Sequence, residues 1–293
     1  MAKARALDRR RRSIRSIRKI TRTMELISTA RFRKAMDRAV AATAYTRRLT
    51  ALVGHLTHGG LEVVHPLLAP RPEPARGTLL VLTANRGLCG GYNAVVLRLA
   101  TAQLEALRRE LAEVRLEVSG KRGISAFRFR RVPLDERFTH FEDKPAFAEV
   151  ELLANRYLAD YAAGRLDRLD VVYTRMESAS RQHAAVETLL PLGLLEGAGE
   201  AETLGIEIQY ELLPSAADIV AEVVPASFKM RLLKCFLDAA VSEQIARRIA
   251  MKNATENADA MIGSLSMACN RARQSQITGE LLEIIGGAEA LNN

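Results

Sequence analysis

Residues 242–291 read SEQIARRIAMKNATENADAMIGSLSMACNRARQSQITGELLEIIGGAEAL, and their pattern decides the architecture. Ala254, Ala258, Met261, Leu265 and Ala268 step by four, three, four and three, the seam spacing of a helix that packs on another helix. Small residues on that seam let two backbones come close. The helix is expected to begin after Pro225 and to run to about Ile285, with Gly263 and Gly279 as its only interruptions. Roughly 60 residues of helix span about 90 Å. A rod of that length cannot bury itself in a compact domain, so it needs a partner helix.

The partner lies at the other end of the chain. From about residue 6 to residue 58 there is no Pro, and the first Gly is Gly54. Ile17, Ile20, Met24 and Ile27 step by three, four and three, with Arg15, Arg18, Lys19 and Arg22 on the other faces. This helix would be roughly 75 Å long. The economical arrangement pairs the two terminal helices as an antiparallel coiled coil.

Between them the character changes. Pro66, Pro70, Pro72 and Pro74 break the chain, and HPLLAPRPEPARG reads as a linker or mobile loop. TLLVLT (78–83) is a short apolar run expected to be a buried strand. NRGLCGGYN (85–93) follows, then a helical stretch to about Glu113. LEVSG (116–120) and DVVYTRM (170–176) are further strands, FAEVELLANRYLADYAAG (147–164) is an amphipathic helix, and IEIQYELL (206–213) alternates like an edge strand. Strands alternating with helices give a small Rossmann-like α/β sheet, parallel or mixed. The expected fold class is therefore α/β with long helices. Residues 1–60 and 215–293 form the coiled coil and 75–214 form the α/β domain.

Composition narrows the function. The 293 residues carry a net charge of +9, and basic residues far outnumber Asp8, Glu25 and Asp37 between Lys3 and Arg48. Such a segment suits an acidic partner: nucleic acid, a lipid surface or an acidic protein face. The Arg-rich start resembles a transit peptide, but it runs straight into the patterned helix and is read as mature protein. No stretch of about 18 uncharged apolar residues exists, so no membrane-spanning helix is expected. Cys89, Cys235 and Cys269 are too widely spaced for a metal motif or a disulfide framework, and a reducing compartment is the simplest setting.

Each motif has a plain alternative. NRGLCGGYN sits where a phosphate loop would sit, but it matches neither GxGxxG nor GxxxxGK[ST]. Gly87, Gly90 and Gly91 are read as a tight strand-to-helix turn, and no nucleotide, cofactor or metal site is expected. His55, His58 and His65 lack thiol or carboxylate company apart from Glu62 and are read as surface histidines. His183, beside Arg181 and Gln182, is read as part of a polar loop. The basic helix lacks aromatics that could stack on bases before Phe32, which counts against nucleic acid. A basic coiled-coil nucleic-acid binder and an enzyme built on the α/β domain are the rival readings. Neither explains the cluster Asn270, Arg271, Arg273, Gln274, Gln276, Thr278 and Glu280, nor the almost uncharged LLEIIGGAEAL after it. A shaft turning inside a protein sleeve would use such groups to touch the sleeve at chosen angles, and would seat the tail in an apolar socket.

The same residues resemble a known family. Ser242–Gln244 (SEQ), Ala246–Met251 (ARxxAM), Ala254–Ala258 (AT[DE]NA), Asn270–Gln274 (NxARQ), Ile277–Leu281 (ITxEL), Glu283–Ile284 and Gly287–Leu291 (GAxAL) are similar to the C-terminal signature of F-type ATP synthase gamma subunits. IRKITRTMELISTARFRKA resembles the family's N-terminal helix, and NRGLCGGYN its DRGLCGGxN turn. Asn85 departs from the usual Asp, and Cys269 from the aromatic that commonly precedes the Asn. There is no cysteine-bearing insertion of the chloroplast type, so thiol control is not expected.

The resemblance implies a non-catalytic central rotor inside three alpha and three beta subunits. It would rest on epsilon and the c-ring, with delta a further partner, and would make no direct membrane insertion. It implies a peripheral place on the cytoplasmic face of a bacterial inner membrane. Arg15, Arg18, Arg22, Met24 and Arg31, with Arg271, Arg273, Gln274 and Thr278, are the expected contacts with the head, the arginines of the first helix facing acidic loops at its lower rim.

Overall fold

The computed structural model describes residues 2–58, 66–68, 71–141, 144–192 and 216–292. IEIQYELL, His65 and the side chains of His55 and His58 lie outside the described residues. Helix α1 runs from Ala2 to His58 and helix α5 from Ala216 to Asn292. Between them come β1 (Arg76–Leu82), α2 (Tyr92–Glu110), β2 (Glu113–Ser119), α3 (Lys121–Phe129), β3 (Glu136–Phe138), α4 (Phe147–Ala162), β4 (Arg168–Met176) and β5 (Gln182–Leu190).

Pro225 does not precede the last helix; it lies inside it. Proline in a helix interior removes one hydrogen bond and crowds the preceding turn. Here Val220, Val224, Phe228 and Leu232 recur every four residues and are all buried, and that packing carries the helix through. Gly263 and Gly279 do not interrupt it either.

The chain divides into two compact units, residues 1–29 with 247–293, and residues 30–246. In the first, α1 and α5 run antiparallel. The Thr255 hydroxyl donates to Thr21 Oγ1 at 2.8 Å, and one turn away Arg18 pairs with Asp259. Among the described residues of α1 up to Thr29, Thr21 and Ser28 are buried, with Ile14 and Glu25 half-buried. Along α5 Met251, Thr255, Ala258, Ile262, Leu265, Cys269, Ala272, Gln276 and Gly279 form a shielded stripe that steps by four and three, and Ala254 and Ser266 beside it are also half-buried.

The seam of α1 is therefore one residue away from the apolar set that sequence periodicity selects. Ile17, Ile20 and Ile27 are exposed and Met24 is half-buried. On α5, Met261 and Ala268 are exposed and yield to Ile262 and Cys269, while Ala258 and Leu265 do lie on the seam. On α1 the shift puts the small Thr21 and Ser28 on the seam in place of Ile20 and Ile27, while α5 keeps the larger Met251, Ile262 and Leu265 there. The Thr21 hydroxyl donates to the Arg18 carbonyl at 3.1 Å, and Thr255 also reaches the Met251 carbonyl at 2.9 Å. Bonded to their own helix in this way, threonines enter the seam without leaving unsatisfied groups.

The second unit is built on a five-stranded sheet of order β3-β2-β1-β4-β5, with β5 antiparallel to β4 and the other pairs parallel. Side chains alternate across it. Leu79, Val81 and Val172 face Val96, Ala100, Leu104 and Leu107 of α2 and Ile124 and Phe127 of α3. Leu80, Leu82, Val171 and Tyr173 join Val150, Leu153, Tyr157 and Tyr161 of α4, Phe228, Leu232 and Phe236 of α5, and Ala35 and Ala39 of α1. Both faces are covered, as parallel strands with near-continuous apolar sequences require.

Three elements are absent from the sequence reading. Helix α3 has only nine residues, and β3 has three. Strand β5 carries the polar QHAAVETLL; His183 belongs to this strand, paired opposite Arg175, and not to a loop. Helix α2 ends at Glu110, because Glu113 already pairs with Arg76 in the sheet.

Candidate functional site

The strands place the turn after β1 at the point where the chain reverses its direction of winding, since β2 and β4 flank β1. In open α/β sheets ligands bind in the crevice there. Here Asn85 closes the crevice from one side. Its amide donates to the Thr139 and Phe141 carbonyls at 3.2 and 2.9 Å, and its Oδ1 accepts the Lys121 N–H at 3.1 Å. Helix α5 closes the other side: the Tyr92 hydroxyl donates to the Ala239 carbonyl at 3.1 Å, and the Phe141 and Phe236 rings lie 4.5 Å apart. The space left among Thr83, Asn85, Ser119, Phe141 and Glu243 is about 30 Å³. That suits a water molecule rather than a nucleotide.

The turn itself needs glycine at only some of the expected positions. Gly90 adopts φ 57°, a left-handed conformation that glycine adopts without penalty, and Leu88 beside it is held at φ 63°. Gly87 lies against the Arg122 guanidinium, where a Cβ would collide. Gly91 has φ −81° and open space around it, so the fold does not demand glycine there. Asn93 braces the turn by accepting the Ala84 N–H at 2.9 Å.

The girdle residues of α5 face solvent. Arg271, Arg273, Gln274 and Thr278 are exposed, whereas Ala272, Gln276 and Gly279 between them turn toward the seam. None of the four exposed side chains is engaged by another described residue. Arg271, Gln274 and Thr278 step by three and four, and Leu281 and Ile285 extend the same stripe, both more than half exposed. Arg273 lies on an adjacent stripe with Ile277 and Ile284, which are also exposed. A polar band thus grades into an apolar tip along one helix.

The α1 residues are more mixed. Arg15 is exposed. Arg18 is already paired with Asp259, and Arg22 with Glu25 at 2.8 Å. Arg31 is half-buried and engaged within the chain. Farther toward the start, Asp8 accepts from Arg11 and Arg12, each at 2.6 Å, and these bonds hold its carboxyl below the usual range. Arg5, Arg9 and Arg10 share one face of α1 with Ala6 and Ser13 and give it a basic surface.

Sequence reasoning gave no sign of two buried ionic clusters. Glu117, in the interior strand β2, accepts from Arg156 and from the Tyr157 hydroxyl, the latter at 2.6 Å. Burial pushes its carboxyl up in spite of those bonds, and burial likewise pushes the Tyr157 phenol up. Glu187 of β5 gathers Tyr173, Arg175, Arg231 and Cys235. A Glu in an apolar strand is the one signal that Glu117 offers; Glu187 lies in a stretch too polar to stand out.

Among the described residues no group of His, Cys, Asp and Glu could hold a metal, and none of the three cysteines forms a disulfide. No described helix is long and apolar enough to cross a membrane.

Known proteins match this arrangement from end to end. A family model described as ATP synthase matches residues 3–291. The ATP synthase gamma chain of Rhodopirellula baltica is 58% identical over 99% of both chains, and that of Leptospira biflexa is 37% identical over 100% of both. The chain belongs to the ATP synthase gamma-chain family. The fold agrees: a chain in the Euglena gracilis mitochondrial ATP synthase OSCP/F1/c-ring structure covers 99% of this chain and 95% of its own length, with TM-score 0.66 and 19% identity. A chain of the rotor of the same enzyme has TM-score 0.61 and 19% identity, over 94% of this chain and 99% of that one. For a gamma chain the long helices and the mixed five-stranded sheet are the expected pair, and nothing supports the nucleic-acid alternative.

Proposed function

We propose that this gamma chain is the central rotating shaft of its ATP synthase, and that it carries no catalytic site of its own. Its partners are three alpha and three beta subunits around the shaft, epsilon and delta, and the c-ring beneath. The assembly lies on the cytoplasmic face of a bacterial inner membrane. Residues 1–60 and 215–293 act as the shaft, and 75–214 as the domain that rests on the lower partners. The observation that carries this reading is the exposed stripe Arg271, Gln274, Thr278, Leu281 and Ile285, polar groups without a partner among the described residues that grade into an apolar tip.

The mechanism is a population shift made by contact. An asymmetric shaft meets each catalytic subunit with a different face at each angle, and so favours a different conformer in each. Arg271 and Arg273 can hold a carboxylate bidentately, and Gln274 can donate and accept. Such bonds contribute about 1.5–3 kcal/mol each, enough to favour one angle without trapping the rotor. Arg15 and the basic start of α1 suit acidic loops at the lower rim. Arg18 and Arg22 would have to exchange Asp259 and Glu25 for those loops, which reduces their gain.

The test is the Arg273→Ala/Gln274→Ala chain reconstituted with alpha and beta. Assembly should stay intact, since alanine is a good helix former, while ATP hydrolysis falls. Normal turnover at normal subunit stoichiometry would show the cluster to be a solvated patch. Turnover by the isolated wild-type chain, surviving repurification, would overturn the non-catalytic reading.

A further inference from the structure

We infer that Glu187 is a positioning residue for torque transfer: its carboxylate locks the angle at which the shaft helix α5 is joined to the α/β sheet. The inference rests on the shaft reading above. Two elements, β4 and α5, converge on this one side chain of β5. From β4 the Tyr173 hydroxyl donates at 2.6 Å and Arg175 at 2.9 Å. From α5 Arg231 donates at 3.1 Å, and it also lies 3.5 Å from the Thr188 carbonyl. The Cys235 thiol, one turn along α5, lies 3.9 Å from the same carboxylate.

The surroundings say what this hub does. α5 is held to the sheet mainly by apolar packing of Phe228, Leu232, Phe236 and Val241, and such packing is non-directional. It resists separation well and resists rotation or sliding of the helix by one ridge less well. Hydrogen bonds to a buried carboxylate have fixed directions and fixed donors. Three other polar ties between α5 and the rest of the unit lack this convergence. Ser242 reaches the Thr174 carbonyl at 3.3 Å, Tyr92 the Ala239 carbonyl at 3.1 Å, and the Lys229–Glu151 pair at 2.8 Å is partly exposed. Glu187 also offsets two guanidinium groups from opposite elements. Without its charge, Arg175 of the sheet and Arg231 of the helix would repel across the joint. An electrostatic clasp becomes a wedge when a single proton or amide replaces the charge.

The discriminating experiment compares Glu187→Gln with Glu187→Gln/Arg231→Gln, each in the full complex assembled in vesicles, alongside melting of each free chain. The single change should lower the melting temperature and speed amide exchange in β5 and in residues 228–238 by about tenfold, the loss expected of one charge-assisted bond. ATP hydrolysis should persist while the ion gradient built per ATP falls. The double change removes the Arg175–Arg231 repulsion and should recover melting temperature without recovering pumping. Recovery of both together would show that the cluster serves stability alone and would overturn the inference, as would wild-type pumping by the single variant at normal stoichiometry. Failure of the wild-type chain itself to enter the complex would overturn the shaft reading, and this inference with it.

Discussion

The one-residue displacement of the coiled-coil seam yields the most discriminating prediction, because hydrophobicity and packing give opposite signs. The perturbations are Ile20→Ser and Ser28→Leu, both on α1 within the unit formed by residues 1–29 and 247–293. If the isoleucines made the seam, the first change would destabilise and the second would be harmless or helpful. In the structure Ile20 is 55% exposed and Ser28 is 1% exposed. Fully burying an isoleucine-sized side chain contributes about 1.5–3 kcal/mol, so the buried part of Ile20 contributes about 1 kcal/mol or less. Ile and Ser have similar helix propensity, which adds little. Leucine at 28 must fit two further heavy atoms into a space already closed, and overpacking of that kind costs about 1–3 kcal/mol. The assay is hydrogen exchange of the full free chain, which reads opening of this segment locally, with a circular-dichroism melt as a global control. Ser28→Leu should open residues 14–28 more readily than Ile20→Ser does. A larger effect from Ile20→Ser would return the seam to the isoleucines and refute the packing argument. In the assembled complex the order should narrow, because the exposed face of Ile20 is then available to a partner.

Two other outcomes are expected. Asn85→Ala removes three hydrogen bonds between the β1 turn and the segments at Lys121 and Thr139–Phe141, and should destabilise the α/β unit by about 1–3 kcal/mol, checked by urea unfolding; an unchanged midpoint would mean that water replaces all three. Burial alone would raise the Glu187 carboxyl, but Arg231, Tyr173 and Arg175 outweigh it and hold it below the ordinary carboxylate range. A lowered folded-state value means that its stabilisation is fully present above the ordinary range and is lost as pH falls through the lowered value. Acid melts should therefore be steeper for the wild type than for Glu187→Gln, and parallel pH profiles would show that the fold does not lower the Glu187 carboxyl.

Much of this protein is legible in its residues because long, periodic and polarised segments carry their own signals. Two proline-poor helices at the ends, apolar runs at 78–83 and 170–176 and the Gly-rich turn at 85–93 fix the fold class without any tertiary information. The family signature at 242–291 does the same for function. Short elements escape: α3 and β3 have too few residues for a period to emerge, and β5 is polar because one of its residues, Glu187, serves an ionic cluster. Pro225 sits within a helix because buried neighbours at four-residue spacing outweigh its local penalty.

The sequence by itself determined that two long helices must pair and that a Rossmann-like sheet separates them. Only the tertiary structure decided which stripe of each helix makes the pair. Hydrophobic periodicity reports which side chains prefer to leave water, whereas a helix–helix seam also depends on how side chains of the two helices fit together, and on α1 that fit places Thr21 and Ser28 inside and leaves Ile17, Ile20 and Ile27 exposed. The buried carboxylates follow the same logic. Glu187 looks like an ordinary surface residue in a linear chain and Glu117 stands out only as a Glu in an apolar strand; their roles exist only where the fold brings distant arginines and tyrosines within hydrogen-bond reach.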